Sequence, residues 1–243
     1  MKMKNMLIGG MSLALVACIS IGGTLAYLTD TTGTAQNKFQ MVTNGIVLNL
    51  QETAKDGAGY DVYKAVFTEV GVEKGEKVTD SPATLTAETA RDIVGFIYEN
   101  IQPGASMTKE VQLSIGKKDE TTVNSYVFAV VDNANSADVM TLNIDTGSWK
   151  QVTTEGTRTL YAYIAKDVGA TTATDSEGNT YVKEHVGSWD LNKIFTTVDV
   201  ADDVDVGVEM QDVRVSGYAY QADNVTFADA KTAAMKALGF PVE

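Results

Sequence analysis

Cysteine and histidine are nearly absent from this sequence: one cysteine, Cys18, and one histidine, His185, stand among 243 residues. A lone cysteine permits no disulfide within the chain and no zinc site built on several thiolates. Zinc sites usually draw on two or more imidazoles or several thiolates, so neither a mononuclear zinc enzyme nor a Ser-His-Asp triad is expected. Basic residues are scarce as well, with 19 Lys and Arg against 32 Asp and Glu, a formal net charge of −13. A nucleic-acid binder needs a basic face that displaces counterions, and no Lys/Arg cluster supplies one, so nucleic acid is not an expected partner. Only three prolines occur and no Ser/Gly/Pro-rich linker divides the chain, which predicts one domain with insertions. A glycine-rich phosphate loop, a Gly-x-Ser-x-Gly elbow, a His-Glu-x-x-His helix and a long heptad pattern are all missing. No catalytic residue, cofactor site or metal site is therefore expected.

The N-terminus is the most informative segment. Met1-Lys2-Met3-Lys4-Asn5 is a short basic start, residues 6–21 form an apolar run, and Gly22-Gly23-Thr24-Leu25-Ala26 is a small-residue exit. Those three parts make a secretory signal peptide, with Thr24 and Ala26 at the two positions a signal peptidase reads. The expected cut lies between Ala26 and Tyr27. An uncleaved anchor would need a longer span and a basic flank after it. A competing site is Leu15-Val16-Ala17-Cys18, which fits a lipoprotein box and would place lipid on Cys18. The apolar Ile19-Ser20-Ile21 that follows suits a lipoprotein tether poorly, yet lipidation stays open. Removing 1–26 deletes Lys2 and Lys4 and no acid, so the net charge falls by two, from −13 to −15. The organisation expected is a signal peptide over 1–26, an extended arm over 27–41 and a β-sandwich domain over 42–243. No stable membrane insertion is expected after cleavage.

Beyond the arm, strand-like segments dominate: 45–50, 62–70, 93–101, 107–115, 126–131, 140–144, 159–164 and 206–220. In 107–115 Met107, Lys109, Val111, Leu113 and Ile115 share one face, with Lys109 a blemish on it. The unbroken apolar run Tyr126-Val-Phe-Ala-Val-Val131 reads as a central buried strand. A shift in the alternation of 206–220 near Asp212 suggests a bulge. Turn signals punctuate the strands, among them Pro103-Gly104 and Asp175-Ser-Glu-Gly-Asn179. The fold class expected is all-β, a jelly-roll-like β-sandwich with loop insertions. A short helix is expected over 81–91. A second, C-terminal one is expected where Thr226 and Asp229 form a capping box before an Ala-rich stretch ended by Gly239 and Pro241.

Candidate chemistry is thin. His185 could serve as a base or metal ligand, but a surface or strand-edge histidine is the better reading. Asp199, Asp202, Asp203, Asp205 and Glu209 could hold calcium, although they lack the glycine-centred spacing of a calcium loop and read better as a solvated acidic edge. Asp175-Ser-Glu-Gly-Asn179 reads as a hairpin turn rather than a metal loop. Trp149, Trp189, Tyr161, Tyr163, Tyr218 and Tyr220 could make a sugar platform but at strand period read as core or cross-strand pairs.

One resemblance touches most of the chain, with only its N-terminal part distinctive. Gly22-Gly-Thr-Leu-Ala-Tyr-Leu-Thr-Asp30, then Asn37-Lys-Phe39, then Asn44-Gly-Ile-Val-Leu-Asn-Leu50, is similar to the TasA/camelysin family of firmicutes, whose signal is processed by the dedicated peptidase SipW. Leu25 and Leu28 stand where that family usually has aromatics. Ile101-Gln-Pro-Gly104, Ile194-Phe195 before Val198, and Gly217-Tyr-Ala-Tyr-Gln-Ala-Asp223 resemble clostridial members. The resemblance implies a secreted jelly-roll subunit of the biofilm matrix or cell surface. It implies self-assembly into fibres, a homopolymer with room for accessory subunits, with the signal peptidase as an export partner. The candidate donor strand is the arm, with Tyr27, Leu28, Phe39 and Met41 as apolar anchors. Some members, camelysin among them, are described as metalloproteases. With one histidine and no His-Glu-x-x-His, that activity is not carried over. A secreted camelysin-like protease and a monomeric adhesin are the alternatives to a fibre subunit.

Overall fold

In the computed structural model, residues 46–242 are described apart from 69–70, 80, 88–93, 167–170, 206–207 and 209. Two antiparallel sheets face each other. The first has the order β4 (Ala83–Ala87), β1 (Leu48–Ala54), β6 (Ser106–Ile115), β16 (Phe195–Val200), β9 (Met140–Ile144), with β15 (Trp189–Asp190) also on β6. The second is centred on β8 (Ser125–Asn133). Along one side of β8 runs β17 (Val213–Gln221). On the other side lies β11 (Arg158–Tyr163) with β10 (Trp149–Glu155) beyond it, and at the end of β8 the hairpin of β13 (Thr180–Val182) and β12 (Thr172–Thr174). Between β1 and β6 the chain inserts a third sheet, β3 (Gly71–Lys77), β2 (Asp61–Thr68), β5 (Phe96–Glu99). A short ladder joins β7 (Thr121–Thr122) to β14 (His185–Val186).

Alternation explains how the layers meet. Leu48 and Leu50 of β1, Met107, Val111, Leu113 and Ile115 of β6, and Phe195, Val198 and Val200 of β16 point inward. They meet Val127, Ala129 and Val131 of β8 and Val213, Val215 and Ala219 of β17. Burying such side chains stabilises by about 1.5–3 kcal/mol each. The opposite face of β8, with Tyr126, Phe128 and Val130, is covered by α1 (Phe227–Ala237) through Ala230, Ala234 and Leu238. β8 is therefore buried on both faces, as its unbroken apolar run predicts. Thr226 caps α1 by accepting from the Asp229 amide at 3.1 Å. Arg158 closes the other end by donating to the Leu238 and Gly239 carbonyls while its guanidinium lies 4.7 Å from the Phe240 ring centroid.

The all-β sandwich with a short C-terminal helix is thus present, and three sequence expectations are corrected. The stretch expected as a helix over 81–91 contains the strand β4, which pairs with β1 from Leu50↔Ala87 to Ala54↔Ala83. Backbone pairing along that edge outweighs the helix preference of its alanines. The long strand expected over 206–220 begins only at Val213, since Val208 and Met210 are described but lie outside any strand. What reads as a bulge near Asp212 is the strand's beginning, where the Gln211 amide donates to Asn135 Oδ1 at 2.7 Å. The first strand, expected to stop at Leu50, continues to Ala54.

Candidate functional site

The predicted processing site and arm anchors, Ala26, Tyr27, Leu28, Phe39 and Met41, lie outside the described residues, as does Cys18. So does Glu209 of the acidic stretch. Of its other members, Asp199 accepts from Ser106 Oγ at 2.5 Å and from Asn143 Nδ2 at 2.6 Å, while Asp202, Asp203 and Asp205 are exposed. Among the described residues no three His, Cys, Asp or Glu side chains gather closely enough to hold a metal.

His185 lies in the short strand β14 and is buried, not at the surface as one reading of the sequence has it. Its ring stacks on Trp189 with centroids 3.7 Å apart and planes 8° from parallel. Nδ1 lies 2.8 Å from the Lys183 carbonyl and Nε2 3.1 Å from the Ile115 carbonyl. Both nitrogens face backbone acceptors, so the ring fastens β14 to the end of β6. Trp149 is fully buried, donates from Nε1 to the Asn192 carbonyl at 3.0 Å and packs edge-on to Tyr163 at 5.0 Å. Tyr218 and Tyr220 stack at 6.3 Å and pack among the residues beneath α1. These aromatics build cores.

Asp175 is the hub of the β12–β13 hairpin. It accepts from the amides of Glu177 at 2.9 Å and Asn179 at 2.8 Å, and from the Tyr126 hydroxyl at 2.7 Å. Gly178 supplies the positive φ, +85°, that the turn requires. Burial acts to raise the Asp175 carboxyl, but the bonds from Asn179, Tyr126 and the two amides together hold it below the ordinary carboxylate range. Burial first, and then the bond to Asp175, pushes the Tyr126 hydroxyl well up. A cleft of about 270 Å³ opens beside this hub, lined by Tyr126, Tyr181, Glu177, Asp223 and Thr226.

A second cleft, of about 330 Å³, lies between the two main sheets. Met140, Leu142 and Ile144 of β9 form one wall, and Val131, Thr159 and Tyr161 of the second sheet form the other. Among the described residues β9 pairs only with β16, so its other edge has no strand beside it. Its alternation, with Met140 buried, Thr141 and Asn143 exposed and Leu142 and Ile144 half-buried, places an apolar row over the cleft. The strand is legible in the sequence, whereas its place at an edge is not, because edge position depends on pairings distant in the chain.

The inward row of β1 and β6 holds an ion pair. Lys109 Nζ contacts Glu52 Oε1, and both side chains are 0% exposed. The Tyr98 ring lies 5.7 Å from the ammonium, and the Tyr98 hydroxyl donates to the Thr108 carbonyl at 2.9 Å. The blemish at Lys109 is thus a buried cation. Its partner Glu52 is missed by reading the first strand only to Leu50.

The fold and these features define an antiparallel β-sandwich in which, among the described residues, one sheet edge is unpaired beside a cleft of mixed polar and apolar lining. Set against protein-family models, curated proteins and solved structures, the chain finds no match.

Proposed function

We propose that this chain is an exported, non-catalytic structural protein of the cell surface or biofilm matrix that self-associates into fibres by strand donation. The donor is the arm 27–41 of one copy, with Tyr27, Leu28, Phe39 and Met41 as its apolar anchors. The acceptor is the β9 edge of the next copy. The observation that carries this reading is that edge, whose half-buried Leu142 and Ile144 border a cleft of mixed polar and apolar lining between the sheets. An incoming extended segment gains main-chain hydrogen bonds from β9 and seats alternate side chains in the cleft. The arm has few apolar residues, and they sit near its ends, which suits anchoring at two points. A head-to-tail contact of this kind does not close on itself and so propagates as a filament. Cleavage after Ala26 is the switch, because an uncut signal keeps the arm at the membrane.

Electron microscopy and sedimentation of the mature chain test the proposal. Filaments are expected from the chain beginning at Tyr27, and none after deletion of residues 27–38. Filaments that persist in the deletion would overturn strand donation.

A further inference from the structure

The pair Glu52–Lys109 stands out because a sandwich core has no ordinary use for it. The antiparallel ladder sets Glu52 opposite Val111 and Ala54 opposite Lys109, so the two charged side chains are diagonal neighbours on the inward face. Leu50, Ala54, Met107 and Val111 on the same two rows are buried, and both charged side chains are 0% exposed. Taking two ions out of water costs more than their attraction returns unless the geometry is excellent, and aliphatic side chains would fill the same space at lower cost. Yet the two groups are held in contact, an amine nitrogen against a carboxyl group, in a site closed to bulk water.

We propose that Glu52 and Lys109 condense into an intramolecular isopeptide bond. Transfer of one proton from Nζ to the carboxylate converts the ion pair into a neutral amine and a carboxylic acid. Nζ then attacks Cδ of Glu52 and the Nζ–Cδ bond forms. The Cδ–O bond breaks, the leaving hydroxyl takes a second proton from Nζ, and one water departs. Nothing is oxidised or reduced, and no other reactant is consumed. The product is a neutral amide, which replaces two buried charges with a group that an apolar core holds at far lower cost. Proximity drives the step, since contact within a folded core raises the effective concentration of amine and acid far above any attainable in solution. The Tyr98 ring, over the ammonium, is a positioning residue that holds Nζ toward the carboxyl group.

The bond would join residues 57 apart and close the loop that contains the inserted β2–β5 sheet. A chain with one cysteine has no intrachain disulfide for this purpose, and the entropic benefit of a cross-link arises in the same way here. The inference is independent of strand donation.

Intact-mass measurement of the denatured full chain tests it. The expected mass is one water below that of the sequence, counted from whatever N-terminus the protein carries. Proteolysis is expected to give a branched peptide joining β1 to β6, with no tryptic cut after Lys109. Lys109→Arg and Glu52→Ala are expected at full mass with a lower unfolding temperature. The wild-type mass decides even if neither variant folds. A wild-type chain at full mass, with Lys109 open to amine labelling once denatured, would show a plain ion pair and overturn the proposal. A water lost elsewhere, without the branched peptide, would overturn it equally.

Discussion

At Gly217 of β17 the side chains of the opposite sheet come too close for a Cβ. A Cβ there would lie 2.6 Å from Leu48 Cδ2 and 2.9 Å from Leu113 Cδ2, both in side chains of the opposite sheet. Because those side chains are themselves enclosed, Gly217→Ala should destabilise by about 1–3 kcal/mol, read as a lower thermal midpoint at unchanged secondary structure. Asp175 calls for a titration. Its folded carboxyl is held below the ordinary value of 3.8, so it contributes stability above that value, which is lost as pH falls through the lower folded one. Asp175→Ala should cost about 1 kcal/mol at neutral pH and should flatten the acid limb of a plot of thermal midpoint against pH. Lys109 shows how much one position can convey. Strict alternation over 107–115 places it inward, and it is inward. What the alternation does not supply is the counter-ion, because an acid at an inward position of β1 looks like the end of a strand.

At the scale of elements, most strands visible in the sequence carry an apolar face, although β16, with Phe195, Val198 and Val200 inward, is not among the segments expected. β6, β8, β9 and β11 fall within a residue or two of where alternation or an unbroken apolar run puts them. β3 is invisible because Gly-Val-Glu-Lys-Gly-Glu-Lys has no buried side and is largely exposed along its length. It is held by backbone pairing to β2 and by cross-strand ion pairs, Lys64 with Glu76 at 2.8 Å and Lys77 with Asp61 at 2.5 Å. Such surface pairs contribute little each. β4 is misread for a related reason, since its composition suits a helix and only the free side of β1 makes it a strand. Helix α1 is read correctly because its signals are local: a cap, an alanine-rich body and a glycine stop. Thr226→Ala should cost about 1 kcal/mol by removing the cap. Phe128→Ala, beneath the helix, should cost about 3–5 kcal/mol and loosen α1 before the sheets, which hydrogen exchange of the helix amides would detect.

For the molecule as a whole, charge and edge act against each other. A copy beginning at Tyr27 carries a net charge of −15, from −13 over the full sequence less Lys2 and Lys4, so copies repel. Self-association should therefore strengthen as ionic strength rises toward ~0.15 M, where the screening length falls to about 8 Å, and sedimentation across a salt series would show it. Leu142→Lys or Ile144→Lys should abolish that association by placing a charge over the cleft while leaving the monomer folded. The processing site and the arm are expectations from motifs that lie outside the described residues, and the acceptor proposed for the arm comes from the strand order. That order carries a mechanical consequence. β1 and β9 belong to one sheet, linked through β6 and β16. Tension applied between the chain ahead of residue 46 and the β9 edge would travel through three consecutive backbone ladders. The second sheet and its helix lie off that path, so a stretched subunit would keep its most deeply packed strand, β8, unloaded while the other layer bears the pull.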